Sequence, residues 1–267
     1  MCLIAFSWQP EQGCLHLLAN RDEFYARPTA PAHWWPDHPG IWAGRDLQAG
    51  GTWLGMTRSG RFAALTNVRE VGARDGGRSR GELVADFLAG EQDPEAYLRH
   101  KLVSGDDYAG FNLLLGDLTR GELWYGGNRS GADARRLGAG LYGLSNAMLD
   151  TPWPKVERLK QGLAKLGPVQ EGTAFGLLDD DTRAALEHLP NTGVGPEWES
   201  LLSSIFIQSP DYGTRAQTVL CVEQGRVAIT EQGRGPKGAE LERRQASWTL
   251  PELNSKPEFN TGRISRD

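Results

Sequence analysis

MCLIAFSW (residues 1–8) and CLHLLANRDE (residues 14–23) are the two stretches that decide the fold. Each is an apolar run of strand length. The segment QPEQG (residues 9–13) between them has the composition of a turn. The two stretches therefore predict an antiparallel hairpin at the start of the chain.

Cys2 stands at the head of the first predicted strand, directly after Met1. Cysteine is small enough that we expect Met1 to be removed, which would leave Cys2 with both a thiol and a free α-amine. A nucleophile and a weak base on one residue are sufficient for acyl transfer. The α-amine has a pKa of about 8, so part of it is unprotonated near neutrality. From the Met-Cys dipeptide alone, Cys2 fits better as a small apolar residue in a core strand, and only the predicted hairpin around it favours the nucleophile.

Asn20, Arg21 and Asp22 end the second predicted strand, and antiparallel pairing would place them beside Cys2. Arg21 could favour the thiolate and bind a carboxylate or oxyanion, and Asp22 could hold the α-amine. Adjacent strand residues point to opposite faces, so only one of these two can face the thiol directly unless a bulge or turn intervenes. A structural ion pair or turn cap explains Arg21 and Asp22 as well as catalysis does.

Three further candidates lie at predicted strand ends far along the chain: Asn67, Asn146 and Arg215. The amide of Asn67 or Asn146 could donate to a developing oxyanion. Arg215 could support Arg21 in tuning the thiol and in binding a substrate carboxylate. For the two asparagines, capping of a strand end by the side chain is the alternative.

An ordered set of motifs through most of the chain resembles the NRDE family, also called the Transport and Golgi Organization 2 family. The motifs are MCLI (1–4), ANRDE (19–23), GTWLG (51–55), LTNVR (65–69), SRGEL (79–83), GLSN (143–146), LDTPWPKV (149–156), GTR (213–215) and TVL (218–220). Together they are far more specific than any single short motif.

The resemblance implies an α+β fold of the N-terminal nucleophile hydrolase type, a four-layer αββα sandwich with mostly antiparallel sheets. The arrangement of Cys2, Arg21 and Asp22 is also similar to the choloylglycine and penicillin-amide hydrolase branch, which begins at a cysteine followed by arginine and aspartate on the second strand. That branch spaces them as Arg-Asn-x-Asp, whereas Arg21 and Asp22 are adjacent here. For activity, the family resemblance points to haem handling, lipid or acyl-CoA metabolism, secretion and mitochondria.

Composition limits the classes of function. The 267 residues are 39% hydrophobic with a net charge of −5, so no overall basic field favours nucleic acid. No apolar run reaches the ~20 residues of a membrane span, and the N-terminus lacks the basic region of a signal peptide. Three cysteines form no disulfide framework, which suggests a reducing cytoplasm, and the five scattered histidines predict no metal site.

The order of the predicted elements is strands, then helices, then strands again, which suits stacked antiparallel sheets with helices outside. We expect one domain over residues 1–250 and a polar tail over 251–267. Residues 24–50 are expected to be an irregular loop anchored by tryptophans, and residues 181–189 a helix. The arginine- and glycine-rich segment 69–80 leads to a helix near Gly81 and could accept an anionic group.

Two functions fit this pattern. The first is a cysteine-dependent amide hydrolase acting on C–N bonds outside large peptides. The second is a non-catalytic protein that binds and carries haem, an acyl-CoA or a lipid in the same pocket. Both predict a small amphipathic ligand. No cofactor is required, although haem is possible as a bound ligand.

Overall fold

The computed structural model describes residues 2–72, 77–129, 132–166 and 171–251, which form thirteen β-strands and five α-helices. The strands are β1 (Cys2–Gln9), β2 (Cys14–Phe24), β3 (Thr29–Trp34), β4 (Ile41–Asp46), β5 (Leu54–Thr57), β6 (Arg61–Asn67), β7 (Phe111–Asp117), β8 (Glu122–Gly127), β9 (Ala132–Arg136), β10 (Gly140–Leu144), β11 (Tyr212–Glu223), β12 (Arg226–Arg234) and β13 (Glu240–Thr249). The helices are α1 (Gly81–Ala89), α2 (Pro94–Val103), α3 (Pro154–Lys165), α4 (Glu171–Leu178) and α5 (Pro196–Leu201).

The strands form two antiparallel sheets. Sheet A has the order β10-β1-β2-β11-β12-β13, and sheet B runs from β3 to β9 in sequence order. Phe6 and Leu17 of sheet A pack with Met56 and Phe62 of sheet B in one buried cluster. The largest apolar core therefore lies between the two sheets.

The first four helices cover the outer faces of the sheets. On sheet B, α1 and α2 pack through Leu83 and Leu98, and on sheet A, α3 and α4 pack through Leu159 and Phe175. The four-layer αββα arrangement and the α+β class are thus confirmed. None of the described helices is both long and apolar enough to cross a membrane.

The β1–β2 register fixes the position of Cys2. Ile4 and Phe6 point into the core between the sheets, whereas Leu3 and Ala5 point toward α3 and α4. Because strand residues alternate between faces, Cys2 belongs to the inner face with Ile4. Its direct cross-strand partner is Arg21, as the hairpin predicted.

Two expectations about secondary structure are wrong. Residues 24–50 contain β3 and β4, which pair with each other, rather than an irregular loop. Residues 181–189 form a single 3₁₀ turn at Leu186–His188 instead of a helix, and α4 precedes them. The expected tail lies outside the described residues, apart from Pro251.

Gly51 lets the loop before β5 approach the start of α1. A Cβ at this position would overlap the Gly81 carbonyl group. The Thr52 amide donates a hydrogen bond to the Gly81 carbonyl oxygen at a distance of 3.1 Å. We expect Gly51→Ala to lower the free energy of unfolding by roughly 1–3 kcal/mol, because backbone must move to admit the methyl group.

Urea unfolding monitored by tryptophan fluorescence measures this loss. Gly40→Ala is the matched control, since a Cβ at Gly40 meets no atom within 4 Å. Equal unfolding midpoints for the two variants would contradict the prediction.

Candidate functional site

A cavity of about 590 Å³ opens beside Cys2, between the ends of the sheets and the start of α1. Four of the six predicted site residues line it. The described lining consists of Cys2, Arg21, Asp22, Glu23, Arg27, Asp46, Gln48, Ala49, Thr52, Trp53, Leu65, Asn67, Gly77, Arg78, Ser79, Arg80, Gly81 and Ala109. Its walls are mainly polar and carry charges of both signs.

Cys2 is 8% exposed at the inner end of this cavity. Burial raises the pKa of its thiol; Asp22 also raises this pKa, while Arg21 opposes the shift. The Cys2 carbonyl accepts a hydrogen bond from Ser145 Oγ at 3.1 Å, which holds the backbone of β1 against the residue after β10. The thiol is therefore mostly protonated near neutral pH.

Arg21 faces Cys2 and separates two cavities. Its guanidinium stacks on the Trp53 ring at 4.4 Å and lies 3.8 Å from a Glu23 carboxylate oxygen. Behind Arg21 and Trp53 is a second cavity of about 240 Å³, lined also by the buried Glu231. Burial raises the pKa of the Glu231 carboxyl to about 7.

Asp22 is on the opposite face of β2 from Arg21, although it reaches the cavity at the strand end. Its Oδ1 accepts a 2.8 Å hydrogen bond from Thr214 Oγ1. Burial raises the pKa of the Asp22 carboxyl, and Lys155 is the strongest group opposing that shift. The expectation that only one of the adjacent pair faces the thiol directly therefore agrees with the strand geometry.

Lys155 is a site residue that the sequence analysis missed. It lies in the first turn of α3, is only 1% exposed, and its Nζ has no hydrogen-bond partner among the described residues. Burial lowers the pKa of Lys155 to about 8, against the opposing effect of Asp22. The signal for it was the motif TPWPK, whose lysine follows the proline that begins the helix.

A buried ion pair adjoins Lys155. Arg69 Nη1 donates to Glu199 Oε2 at 2.6 Å, and both side chains are 4% exposed. Arg69 also stacks on Trp153 at 4.7 Å. With Asp22 and Lys155, this pair forms a buried charge cluster of two cations and two carboxylates beside the head of β1.

Asn67 and Asn146 are neighbours in the structure, joined by a hydrogen bond from the Asn146 side chain to the Asn67 backbone. Asn146 Nδ2 donates to the Asn67 carbonyl at 2.8 Å, and its Oδ1 accepts from Ser145 Oγ at 3.2 Å. Asn67 lines the cavity, whereas Asn146 is 1% exposed and does not belong to the described lining. The Asn146 side chain thus ties the end of sheet A to the end of β6.

Arg215 is placed away from Cys2. It occupies a bulge of β11, between Thr214 and Ala216, and its Nη1 donates to the carbonyls of Phe24, Tyr25 and Arg27 at 2.9–3.1 Å. Among the described cavities it lines the second, smaller one. The structure therefore gives Arg215 a role in holding the turn after β2.

Three more arginines enter the cavity wall. Arg27 is paired with Asp46 at 2.6 Å, and Arg78 with Glu82 at 2.6 Å. Arg80 donates to the Gly110 carbonyl at 3.0 Å, and no described carboxylate lies within salt-bridge distance of it. Arg74, from the same arginine-rich segment, lies outside the described residues.

The depressed pKa of Lys155 predicts how stability depends on pH. The unfolded chain keeps the lysine protonated up to its ordinary value of 10.5, whereas the folded chain releases the proton near 8. The free energy of unfolding should therefore rise by about 3 kcal/mol between about pH 8 and 10.5, and this lysine should add no further change below pH 8, where both states are protonated.

The measurement is urea unfolding of the wild type and of Lys155→Met across this pH range. The unfolding free energy of the wild type minus that of Lys155→Met should increase as the pH rises. Lys165→Met, on an exposed position of the same helix, is the control and should show no comparable change. A constant difference for Lys155→Met would refute the assignment.

Solved structures similar to this chain share little sequence with it. One is the Caenorhabditis elegans N-acylethanolamine-hydrolyzing acid amidase ortholog, with a TM-score of 0.46, 11% identity and coverage of 82% of this chain and 92% of that chain. Another is the C2A mutant of a Clostridium perfringens conjugated bile acid hydrolase, with a TM-score of 0.44, 12% identity and coverage of 96% of this chain and 94% of that chain.

Comparisons of sequence are much closer. The Bos taurus Transport and Golgi organization protein 2 homolog is 36% identical over 259 residues, covering 87% of this chain and 92% of that protein. The Homo sapiens homolog is 35% identical over 255 residues, with the same coverage of both chains. The family model described as Transport and Golgi organisation 2 matches residues 1–235. The chain therefore belongs to the Transport and Golgi organisation 2 family.

Proposed function

We propose that this protein is an N-terminal cysteine amide hydrolase acting on a small amide that carries an anionic group. The observation that carries the proposal is the direct cross-strand pairing of Cys2 with Arg21 in the wall of a 590 Å³ cavity. A nucleophile and a cation that face each other beside enclosed space are the minimum for amide cleavage.

In the proposed reaction, removal of Met1 gives Cys2 a free α-amine. The amine takes the thiol proton, and Sγ attacks the amide carbonyl carbon. The C–N bond then breaks, the leaving amine takes the proton, and the acyl group remains on Sγ as a thioester. Water hydrolyses the thioester with the α-amine again as the base, which restores the thiol.

We assign stabilisation of the developing oxyanion to Arg21 and to the Asn67 side chain, which both line the cavity. Asn146 acts on this site through Asn67, whose carbonyl it binds. Asp22 and Lys155 form the charged surroundings of the α-amine. Lys155 disfavours a second positive charge close by, so it should help to keep the amine neutral and basic.

Arg80 supports the choice of an anionic substrate. Its charge lacks a carboxylate at salt-bridge distance among the described residues, whereas Arg27 and Arg78 have one each. A carboxylate or phosphate on the ligand would complete this site with charge-assisted hydrogen bonds. Trp53 supplies an aromatic wall for the apolar part of the ligand.

The arginine-rich lining also favours a second function, the non-catalytic binding of an anionic amphipathic ligand such as an acyl-CoA. Haem fits this cavity poorly. Cys2 is the only described lining residue of a type that ligates haem iron, and burial raises the pKa of its thiol, which disfavours the ligating thiolate. The described lining therefore offers haem no suitable axial ligand.

The catalytic proposal predicts a mature N-terminus at Cys2 and an acyl intermediate on that residue. Intact-mass measurement should show loss of Met1, and brief incubation with N-decanoylglycine should add one decanoyl group per chain. Cys2→Ala should lose the adduct and all turnover, while Cys221→Ala should keep both. Retained Met1, or an adduct that survives in Cys2→Ala, would disprove the mechanism.

Arg80 should set the preference for an anionic substrate. We expect Arg80→Gln to raise KM for N-decanoylglycine about tenfold or more, with a smaller change in kcat, because an ion pair worth at least ~1.4 kcal/mol is lost. KM for the neutral N-decanoylethanolamine should change little. Arg78→Gln, whose arginine is already paired and 53% exposed, is the matched control. Equal effects on both substrates would argue against the assignment.

A further inference from the structure

Four side chains with metal-binding atoms meet on sheet A far from the cavity. Cys14 and His16 lie two residues apart on β2, and Cys221 and Glu223 lie two apart on β11. Residues two apart on a strand share a face. Cys221 is directly opposite His16, and Val222 is opposite Leu15, so Glu223 follows at the level of Cys14. The four form a two-by-two block on one face of the sheet.

The ligand atoms of three of them are already close together. His16 Nε2 lies 3.5 Å from Cys14 Sγ and 2.7 Å from Glu223 Oε1, and all three atoms lie within 4.8 Å of one another. Bond lengths of about 2.3 Å for Zn–S and 2.0 Å for Zn–N give a sulfur-to-nitrogen edge of about 3.5 Å in a tetrahedral site. The Cys14–His16 spacing therefore already suits a tetrahedral ion.

The remaining adjustment is small. The nitrogen-to-oxygen edge of such a site is about 3.3 Å, so the Glu223 carboxylate must move outward by about half an ångström. Its side chain is 52% exposed and free to rotate, whereas His16 is 17% exposed and held closer to the sheet. Cys221 is outside this group of three close ligand atoms, but it is half-buried and lies opposite His16 on the same face, so a rotation of its side chain would turn a second thiol toward the fourth position.

We propose that Cys14, His16, Glu223 and Cys221 bind one divalent ion of the zinc type. A set of two thiols, one imidazole and one carboxylate is typical of Zn²⁺ and its spectroscopic substitute Co²⁺ rather than of Mg²⁺ or Ca²⁺. All four positions are filled by protein atoms, so the site is structural. The ion fastens β2 to β11, the two central strands of sheet A.

This site is independent of the proposed catalysis. Cys14 pairs with Gln9 at one end of the hairpin, and Arg21 pairs with Cys2 at the other. At about 3.3 Å per residue, the seven residues from Cys14 to Arg21 separate the two sites by about 23 Å. The expectation of no metal site rested on the absence of helix and zinc-finger motifs, whereas these ligands follow a Cys-x-His and Cys-x-Glu pattern on paired strands.

The test is anaerobic titration of the metal-free full-length protein with CoCl₂. One equivalent should produce the thiolate-to-cobalt charge-transfer band, which ZnCl₂ then removes. Cys14→Ser and His16→Gln should each abolish the band or weaken Co²⁺ binding at least tenfold. Cys2→Ser and His100→Gln are controls that should retain it.

A second measurement separates loss of metal binding from misfolding of a variant. The circular dichroism spectrum of His16→Gln should match that of the wild type, which shows that the variant is folded. ZnCl₂ should then raise the Tm of the wild type by mass action but leave the Tm of His16→Gln unchanged. The proposal is overturned if no charge-transfer band forms. It is also overturned if the band depends on Cys2 instead of Cys14, or if zinc shifts the Tm of both proteins equally.

Discussion

The pairing of β1 with β2 is the constraint on which the rest of the site depends. Its register places Cys2 on the inner face of sheet A and directly opposite Arg21. A slip of one residue would turn every side chain of β1 to the other face. Cys2 would then point toward α3, and Leu3 would leave its contacts there. The large apolar side chains of β1 and β2 on both faces therefore hold the thiol where the cavity is.

Much of this arrangement is readable from local sequence, because the hairpin rests on two apolar runs and one turn. An irregular loop was predicted where β3 and β4 lie, because prolines and tryptophans are not typical of a strand pattern there. The two strands form by pairing with each other, and β4 also pairs with β5. Prediction from local sequence also failed at residues 181–189, where a helical pattern is overridden by irregular backbone. Contacts in the tertiary structure, rather than local preference, decide these segments: strand pairing for β3 and β4, and hydrogen bonds such as Ala184 N to Ser203 Oγ at residues 181–189.

Site residues were likewise predictable where local strand register places them and not where the tertiary structure does. Arg21 was placed correctly by strand register, and Asn67 by its position at the end of β6. Arg215 was not, because a bulge turns it toward the carbonyls after β2, and a bulge has no clear signature in one sequence. Lys155 was missed because a lysine in the first turn of a helix is normally exposed, and only the tertiary structure buries it.

The Asn146–Asn67 hydrogen bond has a mechanical consequence for the cavity. It joins the residues just beyond β10 of sheet A to the last residue of β6 of sheet B, so the two sheets cannot part at this end without breaking it. The sheets are therefore closed at this end, so the way into the cavity has to lie along the exposed part of its lining and not between the sheets.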